Sequence, residues 1–80
     1  MKYVYLIRSI PHPEKTYIGI TSNIKNRLKD HNEGKSSYTS KYKPWELITS
    51  ITFTSDKRAN EFEKYIKSGS GRAFAKKRLW

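Results

Sequence analysis

Tyr3-Val4-Tyr5-Leu6-Ile7 and Tyr17-Ile18-Gly19-Ile20 decide the reading of this chain. In an extended backbone, successive side chains point to opposite faces. Tyr3, Tyr5 and Ile7 therefore share one face of the first stretch, and Val4 and Leu6 the other. In the second stretch Tyr17 and Gly19 share a face, opposite Ile18 and Ile20. Between them, Ser9 to Lys15 holds Pro11 and Pro13, which cannot donate to a ladder, so this segment reads as a hairpin loop. Same-face residues of paired antiparallel strands lie within side-chain reach of each other.

Working outward, Thr21 or Ser22 is expected to cap a helix running to about Asn32. Ile24, Leu28 and His31 follow helical spacing and face the core. Arg27 falls one position off that line, at the border with solvent, and Gly34 is well placed to end the helix. Lys35 to Pro44 is basic and rich in Ser, Thr and Tyr, and reads as a loop able to hold a helical turn. Trp45 to Phe53 alternates, with Trp45, Leu47, Thr49, Ile51 and Phe53 in one register, and predicts a third strand. Ser55 or Asp56 begins a helix to about Ser68, with Ala59, Phe62 and Ile66 as its apolar stripe. Gly69 and Gly71 are expected to break it, and a short basic helix spans Arg72 to Arg78. The order β-β-α-β-α-α predicts an α+β fold, a three-stranded sheet covered by helices.

Eighty residues suit one domain, residues 1–80, with a modest core. The absence of cysteine excludes disulfides, thiolate metal sites and a Cys nucleophile. The apolar run 3–7 is far too short for a signal peptide or a membrane span, so the expectation is a cytoplasmic protein with no membrane association. Seventeen Lys and Arg against seven Asp and Glu give +10, which favours polyanionic partners, chiefly nucleic acid. A solubility surface or a ribosome-associated protein would show the same charge. Lys35, Lys41, Lys43, Lys67, Arg72, Lys76, Lys77 and Arg78 are the candidate phosphate contacts.

Glu63 falls inside the apolar stripe, at i+4 from Ala59 and i−3 from Ile66. An ionised carboxylate there is unfavourable unless it is paired or binds a cation. Two readings are therefore open: a metal ligand, or a residue at the stripe's edge paired with a lysine or Arg27. Arg27 could snorkel, or clamp a phosphate with its planar guanidinium. Tyr5 and Tyr17 could be ordinary strand formers, or phenols that bind and orient a water. His31 could shuttle protons near neutral pH or sit at the helix C-terminal dipole.

Taken in order, Tyr3-Val4-Tyr5, Tyr17-Ile18-Gly19, Arg27 ten residues on, and Glu63-Lys64-Tyr65-Ile66-Lys67-Ser68-Gly69 resemble the GIY-YIG endonuclease superfamily, in particular its small stand-alone bacterial members. The resemblance covers Lys2 to about Lys77 and implies a three-stranded antiparallel sheet flanked by helices. It implies a metal-dependent endonuclease acting on DNA, with a single divalent cation, Mg²⁺ or Mn²⁺, held by Glu63. Tyr5, Tyr17, Arg27 and His31 complete the implied catalytic set: Tyr17 as general base or water-orienting group, Arg27 against the scissile phosphate. Gly19 would let the backbone approach the site closely. Two departures stand out. The first half-motif lacks its glycine, and Ser68, Ser70 and Arg72 occupy the region where relatives commonly carry Asn. Appended DNA-binding domains usually supply target choice in this family, so a protein partner is expected to supply it here. The alternative is a non-catalytic nucleic-acid-binding module keeping the same fold. A carboxylate beside a phosphate site argues against that alternative, because it repels the ligand unless a metal intervenes.

Overall fold

A computed structural model describes residues 1–80. Strands β1 (Lys2–Ser9), β2 (Thr16–Thr21) and β3 (Trp45–Phe53) form one antiparallel sheet in the order β2-β1-β3. The helices are α1 (Ile24–Asn32), a single turn α2 (Ser37–Ser40), α3 (Asp56–Ile66) and α4 (Gly69–Arg78). The element order is the expected one, with α2 as the helical turn of the basic loop. None of the helices is long and apolar enough to cross a membrane.

β1 is the central strand, and its two faces build two cores. Val4 and Leu6 pack with Ala59, Ile66 and Ala75, so α3 and α4 cover that side. Tyr5 and Ile7 pack with Trp45, flanked by Tyr17, Ile24, Leu28 and Tyr42, so α1 and the segment after it cover the other. The alternation read in β1 and β2 is thus the division of the whole molecule. In the hairpin, Tyr5 pairs with Gly19 and Ile7 with Tyr17.

β3 departs from the expected single register. Leu6 pairs with Thr49 and Ile7 with Leu47, so Ile48 is an extra residue opposite β1. One inserted residue reverses the parity of everything beyond it. Trp45 consequently enters the Tyr5 side and Phe53 the Leu6 side, and Leu47 is left exposed.

Two local expectations also shift. Asn23, not Thr21 or Ser22, caps α1, its side chain accepting from Asn26 N–H at 3.0 Å. Thr21 instead accepts from Asn23 N–H and shapes the preceding turn. Gly69 and Gly71 lie inside α4 rather than breaking before it, because Ser68 caps the helix immediately ahead of Gly69, accepting from Gly71 N–H. Gly71 is buried against the last turn of α3, and a Cβ there would lie 2.6 Å from Ile66 Cα. Its role is close helix–helix approach. Gly34, at φ 80°, follows the end of α1 as expected, in the left-handed conformation that glycine adopts without strain.

Candidate active site

Tyr5 lies 2 % exposed in the centre of the sheet, and its ring crosses β2 over Gly19. A Cβ at position 19 would stand 2.5 Å from Tyr5 Cζ. Glycine at this position therefore makes room for the tyrosine, where a close approach of backbone to ligand was expected.

The Tyr5 hydroxyl is the hub of a chain of hydrogen bonds. Arg27 Nε–H, from α1, donates to it at 3.4 Å. On its other side stands His31 Nε2 at 2.9 Å, one turn further along α1. His31 Nδ1 lies 2.8 Å from Thr39 Oγ1 on α2, and the Thr39 hydroxyl donates to Ser36 C=O at 3.5 Å. Donor counting fixes the direction. With its hydrogen given to Ser36, Thr39 oxygen accepts from Nδ1–H, which leaves Nε2 to accept from Tyr5 O–H. Tyr17 completes the cluster, its ring 6.3 Å from Tyr5 and 5.1 Å from His31.

Burial pushes the Tyr5 phenol above its ordinary value, opposed by the bond from Arg27. Tyr5 therefore carries its proton at neutral pH. The same bond, donated to Tyr5, holds the Arg27 guanidinium even higher than usual. His31 is fully buried, and burial followed by the nearby Arg27 charge lowers its pKa. It is a neutral ring behind Tyr5, with both nitrogens engaged.

Glu63 lies on α3, whose Ala59 and Ile66 pack on the Leu6 side of the sheet, and its side chain is 18 % exposed at the edge of the stripe. Its Oε2 accepts from Lys67 Nζ at 2.6 Å, the lysine pairing that the stripe-edge reading anticipates. The carboxylate nonetheless lies within electrostatic range of Tyr5, whose pKa it helps to raise. No side-chain bond joins it to Tyr5, Tyr17 or Arg27.

The GIY-YIG catalytic domain matches residues 1–78. The chain belongs to the GIY-YIG endonuclease superfamily. A UPF0213 protein of Clostridium perfringens is 35 % identical over 68 residues, covering 84 % of this chain and 71 % of the relative. A structure-specific endonuclease subunit SLX1 of Debaryomyces hansenii is 40 % identical over 71 residues, or 80 % of this chain but 20 % of the relative. This chain thus spans about a fifth of that fungal protein's length. The solution NMR structure of a UPF0213 protein from Bacillus halodurans superimposes with a TM-score of 0.52 at 28 % identity, over 91 % of this chain and 80 % of that one.

Within this GIY-YIG domain the eight candidate phosphate contacts separate into groups. Lys67, Arg72 and Lys76 line a groove that also includes Tyr17. Lys35 pairs with Asp30 at 3.4 Å and Glu33 at 3.5 Å, which offsets its charge while it stays exposed. Lys41 and Lys43 follow α2, exposed, and Lys77 and Arg78 are exposed at the end of α4, outside the groove. Sequence reading passed over Thr39, the support of His31, and over Tyr38 and Trp80, which line the groove. Thr39 sits in a stretch without periodicity, so only the tertiary contact reveals it.

Proposed function

We propose that this chain hydrolyses DNA phosphodiester bonds with a single divalent cation, Mg²⁺ or Mn²⁺, held at Glu63. The observation that carries the reading is the buried Tyr5 hydroxyl, bonded to both Arg27 and His31 and flanked by Tyr17. A tyrosine that only packs the sheet needs one partner for its hydroxyl. Here two partners orient it, and it in turn fixes Arg27 by Nε, leaving the terminal N–H groups of the guanidinium for a phosphate. Arg27 would neutralise the scissile phosphate, and Tyr17 would take a proton from the attacking water or orient it. His31 and Thr39 hold Tyr5 and stay away from the substrate.

The donor set suits a hard cation that keeps several waters and takes one or two carboxylates plus phosphate oxygens. Glu63 supplies one carboxylate, and its Oε1 makes no hydrogen bond within the chain. When bound, such a cation offsets the negative charge developing on the phosphate and leaving oxygen. The fungal relatives are named as subunits of a structure-specific endonuclease, which supports a partner protein that supplies target choice.

One observation favours the non-catalytic alternative: the Lys67 ammonium already satisfies Glu63. A nicking assay on supercoiled DNA separates the two. Wild type should nick with Mg²⁺ or Mn²⁺ and stop with chelator, and Glu63→Ala should not nick. Binding without nicking under every metal would establish the alternative. DNA binding should weaken with salt at a log–log slope of about −0.9 per phosphate contact on duplex, and salt-independent binding would overturn any nucleic-acid role.

A further inference from the structure

We propose that the groove along the outer edge of β2 is a binding site for unpaired nucleotides, feeding a single-stranded nucleic-acid segment to Tyr17. The proposal rests on the nuclease reading only for its choice of nucleic acid as ligand. The open groove offers about 680 Å³, the scale of a small-molecule site, roughly 300–1,000 Å³. Three aromatic rings line it: Tyr17, Tyr38 and Trp80. Three cations, Lys67, Arg72 and Lys76, stand against one carboxylate, Glu14.

This combination selects for unpaired bases. In a duplex the base faces are stacked on each other, and only edges and phosphates are on offer. Aromatic planes between cations can stack on bases only where the bases are free. Phosphates of the same strand would lie against Arg72 and Lys76. Arg72 Nε donates to Lys67 C=O at 3.0 Å, which fixes the guanidinium and leaves its terminal nitrogens free.

The rings are also set in place before any ligand arrives. Tyr38 O–H donates to Thr16 C=O at 3.4 Å, and its ring lies 6.1 Å from that of Tyr17. The Trp80 backbone N–H donates to Ala75 C=O at 3.0 Å, which anchors the residue, and the Arg8 guanidinium lies 5.8 Å from the centre of the indole. The Thr49 hydroxyl donates to the neighbouring Leu79 carbonyl and ties this end of the chain to β3. Little ordering is left for binding to oppose. A peptide adding as a fourth strand is disfavoured, because the Thr16 carbonyl on the β2 edge is already taken by Tyr38. Tyr17 belongs both to this groove and to the Tyr5 cluster, so a strand leaving the groove passes directly onto the candidate site.

The test is made on the full chain in chelator, so that cleavage does not intervene. Fluorescein-labelled oligodeoxythymidylate and a hairpin duplex with the same number of phosphates are titrated by anisotropy at fixed salt. The single strand should bind about tenfold more tightly than the duplex. Tyr38→Ala, at an exposed ring, should weaken single-strand binding about tenfold and leave duplex binding unchanged. Trp80→Ala should do the same where its melting curve shows it folded, and Trp80→Phe should recover part of the loss. Trp45 is buried, so quenching of tryptophan emission by the single strand reports Trp80. Duplex bound as tightly as single strand, binding unchanged in Tyr38→Ala, or equal competition by a polyglutamate peptide would each overturn the proposal. A single-strand preference that persists in Glu63→Gln, beside a wild type that never cleaves, would remove the nuclease reading and leave the groove standing.

Discussion

The two faces of β1 solve different problems with adjacent residues. Toward α3 and α4, Val4 and Leu6 meet Ala59, Ile66 and Ala75 through apolar contact alone. Toward α1 and α2, Tyr5 meets Arg27 and His31 through directed bonds, and the His31–Thr39 bond carries the chain on into α2. Apolar contact is non-directional and tolerates relaxation, whereas a hydrogen-bond chain holds atoms at set positions. The first side carries stability alone, and the second adds position, which catalysis requires, to its own apolar core of Ile7 and Trp45. The division follows from the period of two in an extended strand.

The largest expected effect tests the stabilising side. Leu6 is fully buried, and Leu6→Ala should cost about 2–5 kcal/mol in a urea titration, from lost burial and the cavity left behind. Residual folded protein should still cleave. Loss of cleavage in a variant that remains folded would break the division of labour between the faces.

On the polar side, Gly19→Ala should cost less and do more. Its methyl group would meet the Tyr5 ring, and small-to-large changes in packed sites cost about 1–3 kcal/mol. Displacing that ring releases both Arg27 and His31, so cleavage should fall far more than stability accounts for. Tyr5→Phe is the control that removes the hydroxyl and keeps the ring. If Gly19→Ala cleaves normally while Tyr5→Phe does not, Gly19 serves packing only.

The alternation that creates the two faces is legible in the sequence because β1 and β2 are regular from end to end. So is the stripe of α3, because Ala59, Phe62 and Ile66 repeat at helical spacing. The bulge at Ile48 is not legible, since it is defined by the partner strand and leaves the local pattern of alternation intact. Gly71 reads as a breaker from its own propensity, yet tertiary packing of α4 on α3 overrides that propensity. Tyr5, Arg27 and His31 could be proposed together, but the hydrogen-bond chain through Thr39 required α2 to be folded against α1. The place of Glu63 beside Lys67 was open to both readings, since i,i+4 spacing permits the pair without requiring it.

A smaller effect tests the polar side through pH. His31 has its pKa lowered by burial and by Arg27, so in the folded protein it resists protonation. The unfolded chain takes up that proton first, at about pH 6.5. Stability from this group is therefore full above that pH and falls as pH drops toward the folded-state value, by at most about 1.4 kcal/mol per pH unit for one proton. Melting temperatures between pH 7.5 and 5 should fall more steeply for wild type than for His31→Gln. Equal slopes would mean that another group carries the pH dependence.

The smallest expected effect on stability falls on the residue proposed to matter most for cleavage. Glu63 and Lys67 form an i,i+4 pair whose lysine end is 46 % exposed, so the pair contributes about 0.3–0.5 kcal/mol. In a chain of this size, Glu63→Gln should lower the melting temperature by only about 1–4 °C. Lys67→Met removes the same pair and should cost about the same. The two variants part company in activity. Glu63→Gln removes the carboxylate and should abolish metal-dependent cleavage. Lys67→Met removes a cation that competes for Oε2, and should shift half-maximal cleavage to lower Mg²⁺ concentration. The midpoint of that titration is the informative quantity, because Lys67 also lines the groove and its loss weakens DNA binding at every metal concentration. An unmoved Mg²⁺ midpoint in Lys67→Met, together with cleavage retained in Glu63→Gln, would assign Glu63 to the structural side of the comparison and leave cleavage to the Tyr5 cluster without a cation held at Glu63.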